Sequence, residues 1–408
     1  MTDMGIKIGR HKIEYNGIAI ALILMAEICF YTAETIQIYF ALSFAGIILA
    51  VISNIGTFTF KVKKNSFILW VCSFYLLIFI YGYLFLQKGE FNGITLFYRL
   101  IESIALYLTI NELLRENRYQ IISAFLWVGI ISGIYLLVKE GSSIIAGNIR
   151  IGDSLSGNVN TVGFNFGIIA TLVMWEYCQN KRKIMMVLYV LFSAVMLLTG
   201  SKKAIIILIM SLILYFFYEK GRISGWLKFV FLLVVGIYLI FNVPYFYEII
   251  GSRIESMIQT AIMGYSATNY SYSTEIRNEM LEEGLQIFKL HPLFGGGYNN
   301  FYANTKTIYD YSHCNYIEIM CTFGIFGIIV FYSKHLNIVV NLVESFKRKL
   351  DSTFDYRVLA LILMIDCLVL DWAAVTFSAQ CVWYLPLIFS CAAINRIHEI
   401  EIYGDQQI

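Results

Sequence analysis

Apolar stretches recur along the chain near 17–32, 35–54, 66–86, 94–114, 120–138, 160–178, 184–199, 203–218, 226–244, 314–333, 356–375 and 378–396. A helix of about 17–25 apolar residues, bonding all its backbone groups internally, is what the hydrocarbon core of a bilayer accepts. The pattern therefore predicts an all-α polytopic membrane protein of about 12 transmembrane helices. The seventh and eighth stretches nearly fuse around Thr199-Gly200-Ser201-Lys202-Lys203, so eleven or thirteen crossings fit as well.

The short connections orient these helices. Lys7, Arg10 and Lys12 precede the first stretch; Lys61, Lys63 and Lys64 follow the second, Arg115 and Arg118 the fourth, and Lys181, Arg182 and Lys183 the sixth. Lys220 and Arg222 follow the eighth, and Lys347, Arg348, Lys349 and Arg357 lie between the tenth and eleventh. Each cluster falls on one side of a twelve-crossing chain, and basic connections stay cytoplasmic. Both termini are then cytoplasmic, and the alternate loops face outward.

Two outward loops are long, roughly 139–159 and 245–312. In the second, Ile249, Ile250, Ile254, Met257, Ile258, Ala261 and Ile262 recur at helical spacing, and from Thr274 to Leu290 one side carries Ile276, Met280, Leu281, Leu285 and Phe288. Both read as amphipathic helices lying along the bilayer surface, with an irregular Ser/Tyr/Asn-rich stretch, Ser266 to Ser273, between them. The chain divides into an N-terminal transmembrane bundle (1–244, about nine spans), an extracytoplasmic loop subdomain (245–312), C-terminal spans (313–396) and a cytoplasmic tail (397–408).

Composition agrees with this division. Hydrophobic residues make up 59% and charged residues only 14%, against roughly a quarter charged in a soluble domain, which excludes a water-soluble fold. The net charge of +2 comes from scattered clusters rather than one basic stripe, so no nucleic acid partner is implied. The eight cysteines lie almost entirely inside apolar runs and show no close metal-type pairs. Seven read as embedded thiols, with no disulfide framework and no metal site. The first apolar run lacks a small-residue cleavage site and reads as a membrane helix rather than a signal peptide.

The residues with chemistry follow one another late in the chain. Arg277 opens the second amphipathic helix; Pro292-Leu293-Phe294-Gly295-Gly296-Gly297-Tyr298-Asn299-Asn300-Phe301 follows; then come His313, Tyr316-x-Glu318 and Gly324-x-x-Gly327. This order resembles the O-antigen ligase and polymerase family of bacterial envelope enzymes. That family shows a loop-helix Arg, a Pro-Leu-x-Gly-x-Gly-x-x-Asn-Phe turn, a His at the lip of a span, a Tyr-x-Glu and a Gly-x-x-Gly. Upstream, Gly157-Asn158-Val159-Asn160 resembles the family's Asn-Pro-Asn, and Ser201-Lys202-Lys203-Ala204 its Ser-Arg-Gly-Ala. Cys314 stands where the family usually has Asn, Ser or Gln, Val159 replaces Pro, and Lys202 replaces Arg. A lysine keeps the charge at 202 but not the two-pronged contact a guanidinium makes with phosphate.

The resemblance implies a GT-C-like membrane glycosyltransferase in the inner membrane. It would take an undecaprenyl-diphosphate-linked oligosaccharide as donor and act at the extracytoplasmic face, without cofactor or metal. It further implies that Arg277 holds the departing diphosphate and that His313 deprotonates or orients the attacking hydroxyl. Lys202, Lys203, Asn300, Tyr316, Glu318, Arg99, Asp371 and Arg150 are candidate substrate-binding residues. Membrane lipids, a chain-length regulator and a flippase are the implied partners.

Several residues carry a second reading. Gly295, Gly296 and Gly297 make a tight re-entry turn or cradle phosphate with their N–H groups, and Gly324 and Gly327 allow close helix packing. Arg99 and Glu102, one turn apart, either neutralise each other or line an outward pocket, because charge inside a span needs a reason. Asp366, Asp371 and Glu318 point to a polar outward-facing cavity. The leading function is a repeat-unit polymerase for O-antigen, capsule or exopolysaccharide; the alternatives are a ligase for finished polymer and a lipid-linked-oligosaccharide flippase.

Overall fold

The computed structural model describes residues 5–8, 11–55, 67–145, 151–156, 158–218, 223–252, 255, 269–306, 309–348 and 353–403. A small antiparallel hairpin, β1 (Gly5–Ile8) and β2 (His11–Glu14), opens the chain, with Gly5 opposite Glu14. Helices follow: α1 (Tyr15–Cys29), α2 (Ile36–Asn54), α3 (Phe67–Leu84), α4 (Gly93–Glu116), α5 (Arg118–Ile145), the short α6 (Asp153–Ser156), α7 (Val159–Asn180), α8 (Lys183–Leu198), α9 (Lys202–Tyr218) and α10 (Ile223–Asn242). After them come α11 (Asn269–Leu290), α12 (Asn300–Asn304), α13 (Asn315–Arg348), α14 (Phe354–Ala373) and α15 (Leu385–Tyr403). Six of these, α2, α3, α4, α5, α7 and α13, are each long and apolar enough to cross a membrane, so the chain is a polytopic membrane protein.

The apolar patterning explains the packing. Helix α7 is apolar almost all round and buried nearly throughout, which makes it the centre of the bundle; α8 and α9 pack against it. Around it α1 packs on α2, α4 and α5, and α14 on α15. Large side chains such as Trp175, Phe164, Phe125 and Phe74 fill the interior. No disulfide joins any of the eight cysteines; seven are buried and Cys72 is exposed.

The helix ends sort into two sets. At one end Asn117 donates to Glu14 (2.8 Å), the Trp175 indole donates to the Asp355 carbonyl (3.3 Å), Arg118 lies over Trp175, and Arg348 pairs with Glu401. The basic residues following α4, α7 and α13 thus gather at this end. The opposite end carries the loops described below.

Four expectations change. The stretch 266–273 is helical from Asn269, where α11 begins; 266–268 lie outside the described residues. The proposed helix over 249–262 lies largely outside them too; of it only 249–252 and 255 are described, 249–251 closing a π-helical turn, Tyr247–Gly251. The last stretch does not begin as an α-helix at 378 but as a loop and a 3-10 turn, Cys381–Tyr384, leading into α15.

The fourth change is the largest. Residues 314–333 are not one straight crossing. In an unbroken helix Tyr316 and Tyr332 would stand about 24 Å apart at 1.5 Å per residue, yet their rings stack at 5.0 Å, and Asn315 Nδ2 reaches Tyr332 Oη at 3.3 Å. The chain reverses at Gly324 (φ 66°, ψ −159°), a conformation open only to glycine. A first limb, 315–323, therefore lies back against a second, 325–348.

Breaking a helix exposes carbonyls on one side and N–H groups on the other. The turn 292–297 fills the gap: Gly296 and Gly297 donate to the carbonyls of Cys321 and Thr322 (2.9 and 3.2 Å). Ile325 and Phe326 donate to those of Pro292 and Leu293 (2.9 and 3.0 Å). A Cβ on Gly324 would sit 2.5 Å from Gly295 N, and one on Gly295 2.3 Å from Thr322 O. The glycine motifs thus serve a backbone-to-backbone joint.

Candidate functional site

At the end of the bundle away from the basic clusters lies a cavity of about 500 Å³. Arg99, Arg277, His313 and Glu318 all line it, together with Asn158, Asn160 and the loop between α14 and the 3-10 turn. The elements that bring them together are α4, α11, the first limb of α13 and the start of α7.

His313 sits just before the first limb in the left-handed region (φ 55°), a conformation costing a non-glycine residue about 1–2 kcal/mol. The Tyr311 ring lies 4.2 Å from its imidazole and that of Tyr309 5.8 Å away. Glu318 anchors the same turn, its carboxylate accepting from Ser312 N at 2.8 Å. One buried carboxylate thus lines the cavity and fixes the backbone that aims His313. Strain held in place by such contacts is characteristic of functional positions.

Arg277 is exposed on α11 at the cavity. Tyr311 touches the histidine through its ring and feels the Arg277 charge at its phenol. Burial raises the Tyr311 phenol above its ordinary range, the Arg277 charge opposes this, and Asp310 and Glu318 reinforce it. The hydroxyl remains a donor at neutral pH. Burial likewise raises the Cys314 thiol; that side chain packs among Ile276, Met280, Phe301 and Ile317. The residue occupying the family's amide position here contributes packing.

Arg99 takes the second of its two expected roles. Its Nη1 donates to the Ser378 carbonyl and its Nη2 to Tyr31 Oη (2.6 Å), and no ion pair among the described residues includes it. Glu102 instead accepts from Ser43 and from Tyr39 (2.9 Å), which also reaches Glu27. The guanidinium is therefore held by neutral partners at the wall of the cavity.

Other candidates lie elsewhere. Asn300 is buried, its amide donating to the Cys321 carbonyl at 2.9 Å, so it braces the helix break. Tyr316 donates to the Leu368 carbonyl (3.0 Å) and lines a separate apolar groove of about 460 Å³ with Ile365, Leu368, Val369 and Trp372. Asp371 is buried beneath the loop, accepting from Tyr332 (2.9 Å) and Thr376. Asp366 is fully buried, with no hydrogen-bond partner for either carboxylate oxygen among the described residues. Arg150 lies outside the described residues, as do the side chains of Lys202 and Lys203, whose backbone opens α9. The N–H groups of Gly295, Gly296 and Gly297 bond to the carbonyls of His291, Cys321 and Thr322, so the tight-turn reading holds and the phosphate cradle does not.

Sequence reasoning missed Tyr31, Tyr298, Tyr311, Gln380 and Trp383, which also line the cavity. With 29 Tyr and 31 Phe in the chain, no spacing singles out these aromatics. Among the described residues, two groups of buried side chains bring metal-type ligand atoms within 4.8 Å of one another: His335, Cys367 and Asp371, and Glu27, Glu102 and Cys381. Both lie off the cavity lining, and their atoms already bond to each other or to Tyr332, Tyr39 and Ser43.

Residues 187–332, which run from α8 through the stacked Tyr332, match the family described as O-Antigen ligase. No curated protein matches the chain.

Proposed function

We propose that this chain, whose residues 187–332 match the family described as O-Antigen ligase, is a polymerase of lipid-linked oligosaccharide repeat units. The growing glycan is transferred from undecaprenyl diphosphate to a sugar hydroxyl of an acceptor repeat unit. The observation that carries this reading is one cavity lined by two guanidiniums (Arg99 and Arg277), an imidazole (His313) and two carboxylates (Asp310 and Glu318).

The reaction forms a bond between the acceptor oxygen and the anomeric carbon and breaks the bond from that carbon to phosphate. The electron pair goes to the diphosphate and the hydroxyl proton to His313. Negative charge grows on the leaving group, and the exposed Arg277 at the mouth of the cavity meets it. His313, its ring set by Tyr311 and its backbone by Glu318, accepts the proton. Arg99, on the opposite element, binds the glycan side of the substrate. Lys202, Lys203 and Arg150 remain candidates for contacts to phosphate or glycan. The apolar groove at Tyr316 and Trp372 suits the isoprenoid tail. No step requires a metal.

In this reading about twelve helices cross the inner membrane in a GT-C-like arrangement, the tenth crossing being 325–348. Both termini are cytoplasmic and the cavity faces outward, with Arg277, Tyr298, Asn299, Asp310 and Tyr311 of the 245–312 stretch in its lining. A chain-length regulator and a flippase are its partners.

Purified protein given lipid-linked repeats should extend them, and Arg277→Ala and His313→Ala should each abolish extension at unchanged protein level. Normal polymer length in both variants would refute the assignment. In a deletion strain, single repeats on the acceptor indicate a polymerase, and long polymer retained on its carrier indicates the ligase.

A further inference from the structure

The side chain of Asn315, fully buried, joins the two halves of the cavity. Its Oδ1 accepts from two successive backbone N–H groups, Thr376 and Phe377, both at 2.9 Å. Its Nδ2 donates to Tyr332 Oη (3.3 Å), which in turn donates to Asp371 (2.9 Å); Asp371 also accepts from Thr376 Oγ1. Asn315 stands on the first limb between His313 and Glu318. The loop it grips carries the Ser378 carbonyl that holds Arg99, and much of the cavity wall.

From this geometry we infer that Asn315 is a positioning residue: its amide fixes the loop 374–380 to the limb bearing His313 and Glu318, and so sets Arg99 against His313. The inference rests on the transferase reading for its effect on rate, and on hydrogen bonds alone for the clamp. An amide is suited to the task because it presents an acceptor to the loop and a donor to Tyr332 at once. A leucine of similar shape would leave two buried N–H groups without a partner, and such groups find others by moving. Precise placement is what a reacting geometry loses first when a supporting residue goes.

The test uses full-length protein in nanodiscs. Amide exchange over 374–380 should rise at least tenfold in Asn315→Leu and by less in Asn315→Asp, which keeps the acceptor to the loop but loses the donor to Tyr332 beside Asp371. With lipid-linked repeats, Asn315→Leu should lower kcat tenfold or more with KM for the donor within twofold, and Asn315→Asp should retain more of the rate than Asn315→Leu. Asn315→Ser, too short to reach both N–H groups, replaces the leucine variant if that fails to accumulate. Unchanged exchange in the leucine or serine variant would overturn the clamp, and raised exchange with unaltered kcat would overturn the positioning role. If wild-type protein extends no repeat, the transferase reading falls, and the exchange result still decides the clamp.

Discussion

Substituting Gly324 by alanine tests the helix break directly. At φ 66° and ψ −159° the backbone occupies a region where a non-glycine residue costs about 1–3 kcal/mol. The added Cβ would also lie 2.5 Å from both Gly295 N and Leu293 C, backbone atoms that cannot step aside as a side chain can. Relieving that contact means withdrawing the turn 292–297. Four backbone hydrogen bonds cross this joint, each contributing about 0.5–1.5 kcal/mol net; losing two brings the total to roughly 2–6 kcal/mol. We expect Gly324→Ala to lower the thermal midpoint in detergent, to open 291–297 to protease, and to reduce polymer synthesis more than tenfold. Gly141→Ala, at a helix position with open space around it, should be neutral or stabilising by up to about 1 kcal/mol. Wild-type stability and normal polymer in Gly324→Ala would refute the joint.

Three further outcomes follow from the same contacts. Arg99→Lys should recover only a small part of the activity lost in Arg99→Ala, because an ammonium cannot reproduce a planar fork that reaches Ser378 and Tyr31 together; equal rates for Arg99→Lys and wild type in chain extension would count against it. Asn300→Leu should destabilise by about 0.5–1.5 kcal/mol by removing one of the two donors to the Cys321 carbonyl, Gly296 N remaining, read as a shift in thermal unfolding; an unshifted midpoint would show that Asn300 does not brace the break. Chain extension should proceed unchanged in EDTA, and a lasting loss restored by a divalent cation would implicate one of the two buried ligand groups.

The sequence by itself determined the class of molecule and the cast of its site. Apolar runs of bilayer length dictate helices because no other open structure satisfies its backbone in lipid, and those runs became α1 to α4, α7 to α10 and α14 within a few residues, with α5 extending seven residues beyond its run. The family resemblance carried by the order Arg277, His313, Glu318 picked out three residues that line one cavity. What the sequence could not contain is the reversal at Gly324, since a 3.6-residue hydrophobic period reads alike in a straight helix and in two limbs folded together. Only the turn 292–297, seated in the gap, reveals it. Tertiary structure likewise decided between the two roles of Arg99. Glu102 is a neighbour by helical period, but Tyr39 and Ser43 from α2 reach that carboxylate, while the loop after α14 supplies the carbonyl that turns the guanidinium into the cavity. Contacts between residues hundreds of positions apart are fixed by packing, and packing is a property of the assembled bundle rather than of any segment within it.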